Sequence, residues 1–280
     1  MKANQLLLVL LAFALSFTAC EKPKKVDYEL LASDANISES INSDAYRIVD
    51  QESRSGGFSD NVGKTSSETI SWVSSVDTCA MVTLNTNGGS FPMTLTIDFG
   101  TGCTDSYNIT RKGKVIGVFS GFYTVAGSRI DVSFNNYYVN NHKVEGNKTI
   151  TNQGRNAQQK LAYQVVDANG RITKPDGGII TWESTRTHVW DSGESTLLWI
   201  YDDVYAITGT ASGEISDGTP YGIRTITPVK KMVICPYLSE GSITYSVDGD
   251  DIATVDYGNG ACDATANLTY DGKTYVIIIK

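Results

Sequence analysis

Only two histidines, His142 and His188, are available to carry protons near neutral pH. Neither belongs to a metal-binding pair such as His-Glu-x-x-His, and no Gly-x-Ser-x-Gly nucleophile turn occurs. Asp98 and Asp256 are carboxylates that could meet a hard cation, but no Asp-x-Asp-x-Asp-Gly loop surrounds them. Hydrogen bonding within a turn is the better reading for both. The glycine pairs Gly100/Gly102 and Gly258/Gly260 are followed by cysteine and strand, not by a helix whose amides could hold phosphate. No catalytic residue, metal or cofactor is assigned, and the expectation is a protein that is not an enzyme. The alternative is a carbohydrate-active hydrolase using dispersed Asp and Glu, which needs two carboxylates facing across a cleft.

Aromatic residues make the best candidate binding set. On a continuous strand Trp182, Arg186, His188 and Trp190 share one face, because alternate residues do. Trp199, Tyr201, Asp203 and Tyr205 share a face of the next strand, with Asp191-Ser192-Gly193-Glu194 as the connecting turn. Flat rings beside a guanidinium and a carboxylate suit a sugar ring, which offers an apolar face and polar edges. Large aromatics are equally what a β core requires, and core packing is the commoner use.

Five cysteines divide into one and four. Cys20 follows Met1-Lys2, an apolar run from Leu6 to Phe17, and Phe17-Thr18-Ala19. The run is too short to span a bilayer and has the length of a signal-peptide core. Residues 1–19 are therefore expected to be a lipoprotein signal, with lipid on Cys20 and the membrane as a partner through that anchor. Glu21-Lys22-Pro23-Lys24-Lys25 reads as a solvated tether, and the absence of Asp after the cysteine leans toward the outer membrane. An overall charge of −8 disfavours nucleic acid. The other four cysteines, in an exported chain, suggest disulfides.

Their spacing selects a pairing. Thr96-Ile97-Asp98-Phe99-Gly100-Thr101-Gly102-Cys103 is repeated as Thr254-Val255-Asp256-Tyr257-Gly258-Asn259-Gly260-Ala261-Cys262. An upstream cysteine precedes each copy, Cys79 in the first and Cys235 in the second. Repeated spacing predicts Cys79 with Cys103 and Cys235 with Cys262.

These residues need a scaffold, and the pattern describes one. Tyr28–Arg54 carries Ile37, Ile41, Ala45, Ile48 and Val49 at helical spacing, with Ser38 as a candidate cap. Ser53–Asp60 reads as a linker. From about Thr69 the period becomes two, as in Met93, Leu95, Ile97 and Phe99. Lys112-Gly113, Asn169-Gly170, Asp217-Gly218, Asp248-Gly249 and Asp271-Gly272 read as turns between strands, as does Asn140-Asn141. The expectation is an all-β protein: an antiparallel sandwich or long meander with a duplicated disulfide motif behind a short N-terminal helix. Residues 20–65 would form anchor, tether and helix, and residues 66–280 the β domain.

Asp98-Phe99-Gly100-Thr101-Gly102-Cys103, Arg111-Lys112-Gly113-Lys114, Lys143-Val144-Glu145-Gly146, Asp202-Asp203-Val204-Tyr205 and Asp256-Tyr257-Gly258-Asn259-Gly260 together resemble a family of Bacteroidetes outer-membrane lipoproteins. The resemblance runs over nearly the whole mature chain and implies no activity, catalytic residue or ligand. The expected function is that of a lipid-anchored envelope protein, a binding or structural module for a glycan or an envelope protein.

Overall fold

The computed structural model describes residues 26–55, 69–74, 78–196 and 199–279. The signal segment, Cys20, the tether and the boundary at residue 65 lie outside the described residues. One long helix, α1 (Tyr28–Ser55), precedes fifteen strands: β1 (Thr69–Val73), β2 (Met81–Asn85), β3 (Met93–Asp98), β4 (Cys103–Thr104), β5 (Thr110–Phe119), β6 (Arg129–Val139), β7 (His142–Arg155), β8 (Leu161–Thr173), β9 (Ile179–Ser192), β10 (Val204–Glu214), β11 (Pro220–Met232), β12 (Glu240–Val247), β13 (Asp250–Asn259), β14 (Thr265–Tyr270) and β15 (Lys273–Ile278). They form one antiparallel meander in chain order, with the two-residue β4 paired to β5 off the main path. The edges, β1 and β15, do not pair with each other.

Strict alternation drives each strand to bury one face. In β9 the inward set is Ile180, Trp182, Ser184, Arg186, His188 and Trp190. What they face is α1, because the meander curls until strands from many parts of it reach this helix. An ordinary surface helix buries one apolar stripe. Here every residue from Asp44 to Arg54 is buried, about three turns enclosed on all sides. Helix and sheet share one hydrophobic core, which includes Leu31, Ile41, Tyr46, Ile48 and Val49 beside inward residues of the strands.

Three local expectations are corrected. Ser38 is not a cap: the helix starts ten residues earlier, where the Asp27 carboxylate accepts from the amides of Glu29 and Leu30 (3.1 and 3.0 Å). Ser38 instead donates back to the Asp34 carbonyl, and Ser53–Ser55 close the helix rather than opening a linker. Lys112-Gly113 and Asn169-Gly170 lie inside β5 and β8, at register shifts opposite β6 and β9. Positive φ at Gly113 (+81°) and Asn169 (+55°) serves bulges there, because a bulge asks for the same backbone as a tight turn. A Cβ on Gly113 would come within 1.9 Å of the Asn136 carbonyl oxygen. The turns at Asn140-Asn141, Asp217-Gly218, Asp248-Gly249 and Asp271-Gly272 connect neighbouring strands as expected.

Both disulfides are present, Cys79–Cys103 and Cys235–Cys262, with Cα separations of 5.6 and 5.8 Å. The duplicated motif has the same local chemistry twice. The Asp98 carboxylate accepts from the Gly100 amide (2.9 Å), and Asp256 accepts from Gly258 (2.8 Å).

Candidate functional site

Six polar residues of α1, Asp34, Asn36, Glu39, Asp44, Asp50 and Arg54, are engaged by different parts of the sheet. Asp34 binds Lys174 in the β8–β9 turn (2.9 Å) and accepts from the Ser216 amide after β10 (2.8 Å). Asn36 accepts from the Tyr245 hydroxyl (3.1 Å), and Glu39 pairs with Arg186. Asp44 takes a two-pronged contact from Arg111 on β5, at 2.8 and 2.9 Å, and a third from Arg47 at 2.8 Å. Burial pushes the Asp44 carboxyl up, but the two guanidiniums outweigh it and hold it well below the usual carboxylate range. Near the helix end Asp50 accepts from Tyr205 (3.0 Å) and pairs with Arg54, which also reaches Asp203 and lies over the Trp190 ring.

This network absorbs most of the aromatic set. Trp182, Arg186, Trp190, Asp203 and Tyr205 are all buried, facing α1 and not solvent. Trp190 donates to Asp203 (2.8 Å), and its exposure is 1%. The expected second aromatic strand does not begin at Trp199. Ile200–Asp202 is a 3-10 turn and β10 starts at Val204, so Trp199 and Tyr201 stand outside while Asp203 and Tyr205 point in. Those two rings, each 59% exposed and 4.9 Å apart, are inclined by 51° and form no flat platform. His188 is buried against Tyr46, and burial together with Lys148 and Arg186 pushes its imidazole well down, so it stays neutral. The other histidine, His142, sits at the rim of the cleft described next.

Where the sheet leaves α1 uncovered there is a cleft of about 650 Å³. Its floor is the stripe of helix residues Glu29, Ser33, Ile37, Ser40 and Asp44, spaced so that one side of a helix carries them all. One wall is the edge hairpin, with Leu268, Tyr270 and Tyr275–Ile278. The other is Ile109, Val139, Pro236 and Tyr237, at the corner of β5, β6 and the chain after β11. Tyr28, Tyr270 and Tyr275 stack in sequence at 4.8 and 4.9 Å and brace the hairpin against the start of α1. The Cys235–Cys262 bridge braces the opposite wall beside Pro236.

The cleft shelves inward, from exposed Glu29 at one end to buried Asp44 at the other. Among the described residues, buried side-chain polar atoms without a partner, on Ser43, Arg54 (Nε), Tyr163, Trp182, His188 and Tyr257, all lie outside its lining. Its two carboxylates cannot act as a facing acid and base, because Asp44 is consumed by Arg111 and Arg47. Among the described residues no group of three His, Cys, Asp or Glu is placed to hold a metal ion. No family model, curated protein or solved structure matches this chain.

Sequence reasoning missed the cleft. Its signals were a Ser33–Ile37–Ser40 stripe on a helix and an apolar C-terminal strand, Tyr275-Val276-Ile277-Ile278, each of which reads alone as ordinary core.

Proposed function

We propose that this chain is a non-catalytic binding module, tethered by lipid on Cys20 to the outer membrane of a bacterial envelope, and that its site is the cleft over α1. The observation that carries the reading is an apolar cavity of about 650 Å³, within the range of small-ligand sites, whose one buried carboxylate, Asp44, is already paired with Arg111 and Arg47. Support for the anchor comes from the signal-like N-terminus and its cysteine. A cavity walled by Ile, Val, Leu and Tyr favours an apolar ligand over a free sugar, which the buried tryptophans no longer serve.

The test uses the chain carrying Cys20→Ser and a neutral naphthylamine probe that fluoresces in apolar surroundings. Binding should saturate and should weaken at least tenfold in Ser33→Trp, which places a large ring on an exposed floor position. Absence of binding, or binding indifferent to Ser33→Trp in a folded variant, overturns the assignment.

A further inference from the structure

Between α1 and the strands there is a second, much smaller cavity, of about 30 Å³, which shares no lining residue with the cleft. Ser43 lines it from α1, and Trp182 and His188 line it from β9. Each of these three residues carries a buried polar atom without a hydrogen bond: Ser43 Oγ, Trp182 Nε1 and His188 Nδ1. Trp182 and His188 are 2% and 5% exposed, so bulk solvent does not serve them. An unpaired buried donor or acceptor forfeits the hydrogen bond it makes to water in the unfolded chain, which is why native interiors contain few of them. Three such atoms on the wall of one cavity call for a common partner.

Charge and size select that partner. The charged residues of the wall are already matched: Lys148 pairs with Asp167, which also accepts from Ser184 (2.6 Å), and Arg186 pairs with Glu39. His188 adds no charge, because burial, Lys148 and Arg186 push its imidazole down. Two cations and two carboxylates leave no net charge to hold a chloride or a metal ion, which would shed its own hydration on entering. Small-molecule sites offer roughly 300–1,000 Å³, far more than this cavity. An internal water needs roughly 10–15 Å³ and two to four polar partners. Its hydrogen-bonding capacity also matches the wall, since an indole N–H only donates, whereas a hydroxyl and a neutral imidazole can complete the water's remaining bonds.

We propose that this cavity is a binding site for an ordered internal water, which accepts from Trp182 Nε1 and shares hydrogen bonds with Ser43 Oγ and His188 Nδ1. The water joins α1 to β9 at a point where the two elements present polar atoms to the same space without bonding each other directly. It complements the ion pair of Glu39 with Arg186, one helical turn earlier, as a second tie between the same helix and strand. The site is independent of whatever occupies the cleft.

The experiment is nuclear magnetic resonance on the Cys20→Ser chain. The indole proton of Trp182, assigned by its loss in Trp182→Phe, should give a direct cross-peak to water with the sign of a long-lived protein contact. Ser43→Ala leaves the cavity and two of the three partners, and should keep the cross-peak. Ser43→Val puts carbon where the third partner stood, and should abolish it. Absence of the cross-peak in the Cys20→Ser chain overturns the proposal without reference to any further variant, so a Ser43→Val chain that fails to fold does not rescue it. A cross-peak that survives in folded Ser43→Val also overturns it, because the water would then sit elsewhere. Crystals soaked in bromide separate water from an anion: density between Ser43, Trp182 and His188 without anomalous signal supports the water, and an anomalous peak beside Trp182 makes this an anion site and refutes it.

Discussion

Replacing Arg54 with Met tests whether the end of α1 is enclosed by the sheet. The Arg54 side chain is 0% exposed, as are its partners Asp50 and Asp203. Methionine keeps apolar bulk under Trp190 but leaves two buried carboxylates with no cation. Breaking a buried pair from one side costs about 3–5 kcal/mol, because the remaining charge is uncompensated. For a chain of this size that corresponds to a fall in Tm of roughly 6–20 °C. The loss must depend on pH in a defined direction. Burial already pushes the Asp203 carboxyl up against the pull of Arg54, and removal of Arg54 removes that pull. A carboxyl raised above its unfolded value of about 3.9 contributes stability that is full below that pH and is lost as pH rises through the folded value. Arg54→Met should thus be most damaging near pH 8 and least damaging near pH 4–5, measured against wild type by urea unfolding at each pH. Adding Asp203→Asn should recover part of the loss at pH 8. A cost below about 1 kcal/mol at pH 8, with no pH dependence, would refute the placement of this helix end.

Three further outcomes are expected. Trp190→Ala should cost about 3–5 kcal/mol in urea unfolding, as a buried aromatic does, while Trp199→Ala should change stability by less than about 0.5 kcal/mol. Non-reducing peptide mapping should recover Cys79 with Cys103 and Cys235 with Cys262, and removing either bridge should cost about 3–4 kcal/mol for loops of 24 and 27 residues. Loss of Cys235–Cys262 should also weaken probe binding, since it braces the cleft wall, whereas loss of Cys79–Cys103 should not. Cys20→Ser should leave an unlipidated chain that no longer fractionates with membranes; unchanged mass and fractionation would remove the anchor.

The strands were legible because their information is local. Period-two burial and turn residues at hairpins can be read within a dozen positions and allow an antiparallel sandwich or a meander, while both bridges follow from cysteine separations of 24 and 27 residues beside a repeated motif. The position of α1 was not legible, because its partners are far away in the chain. Asp44 meets Arg111 across 67 residues, Asp50 meets Tyr205 across 155, and Asp34 meets the Ser216 amide across 182. Without those partners, a helix rich in Asp, Ser and Glu reads as an amphipathic element resting on a surface. The misplaced turns have a related cause, since positive φ at Gly113 and Asn169 marks a bulge as readily as a hairpin.

The cleft follows from how such a helix must be held. A polar helix gains little from hydrophobic contact alone, so enclosing it requires a partner for each buried carboxylate and guanidinium. Those partners, from Lys174, Tyr245, Arg186, Arg111 and Tyr205, fix the rotation of α1 within the curl. Among the described residues, the stripe around Ser33, Ile37 and Ser40 has no such partner strand and bears small and apolar side chains. Beside it β15 is, among the described residues, an unpaired edge whose Val276 and Ile278 are 72% and 56% exposed. Edge strands are usually blunted by charge or proline, and these two positions of β15 carry neither. An apolar floor beside an apolar edge is costly to leave in water, and that cost is the physical ground for reading the cleft as a place where something binds.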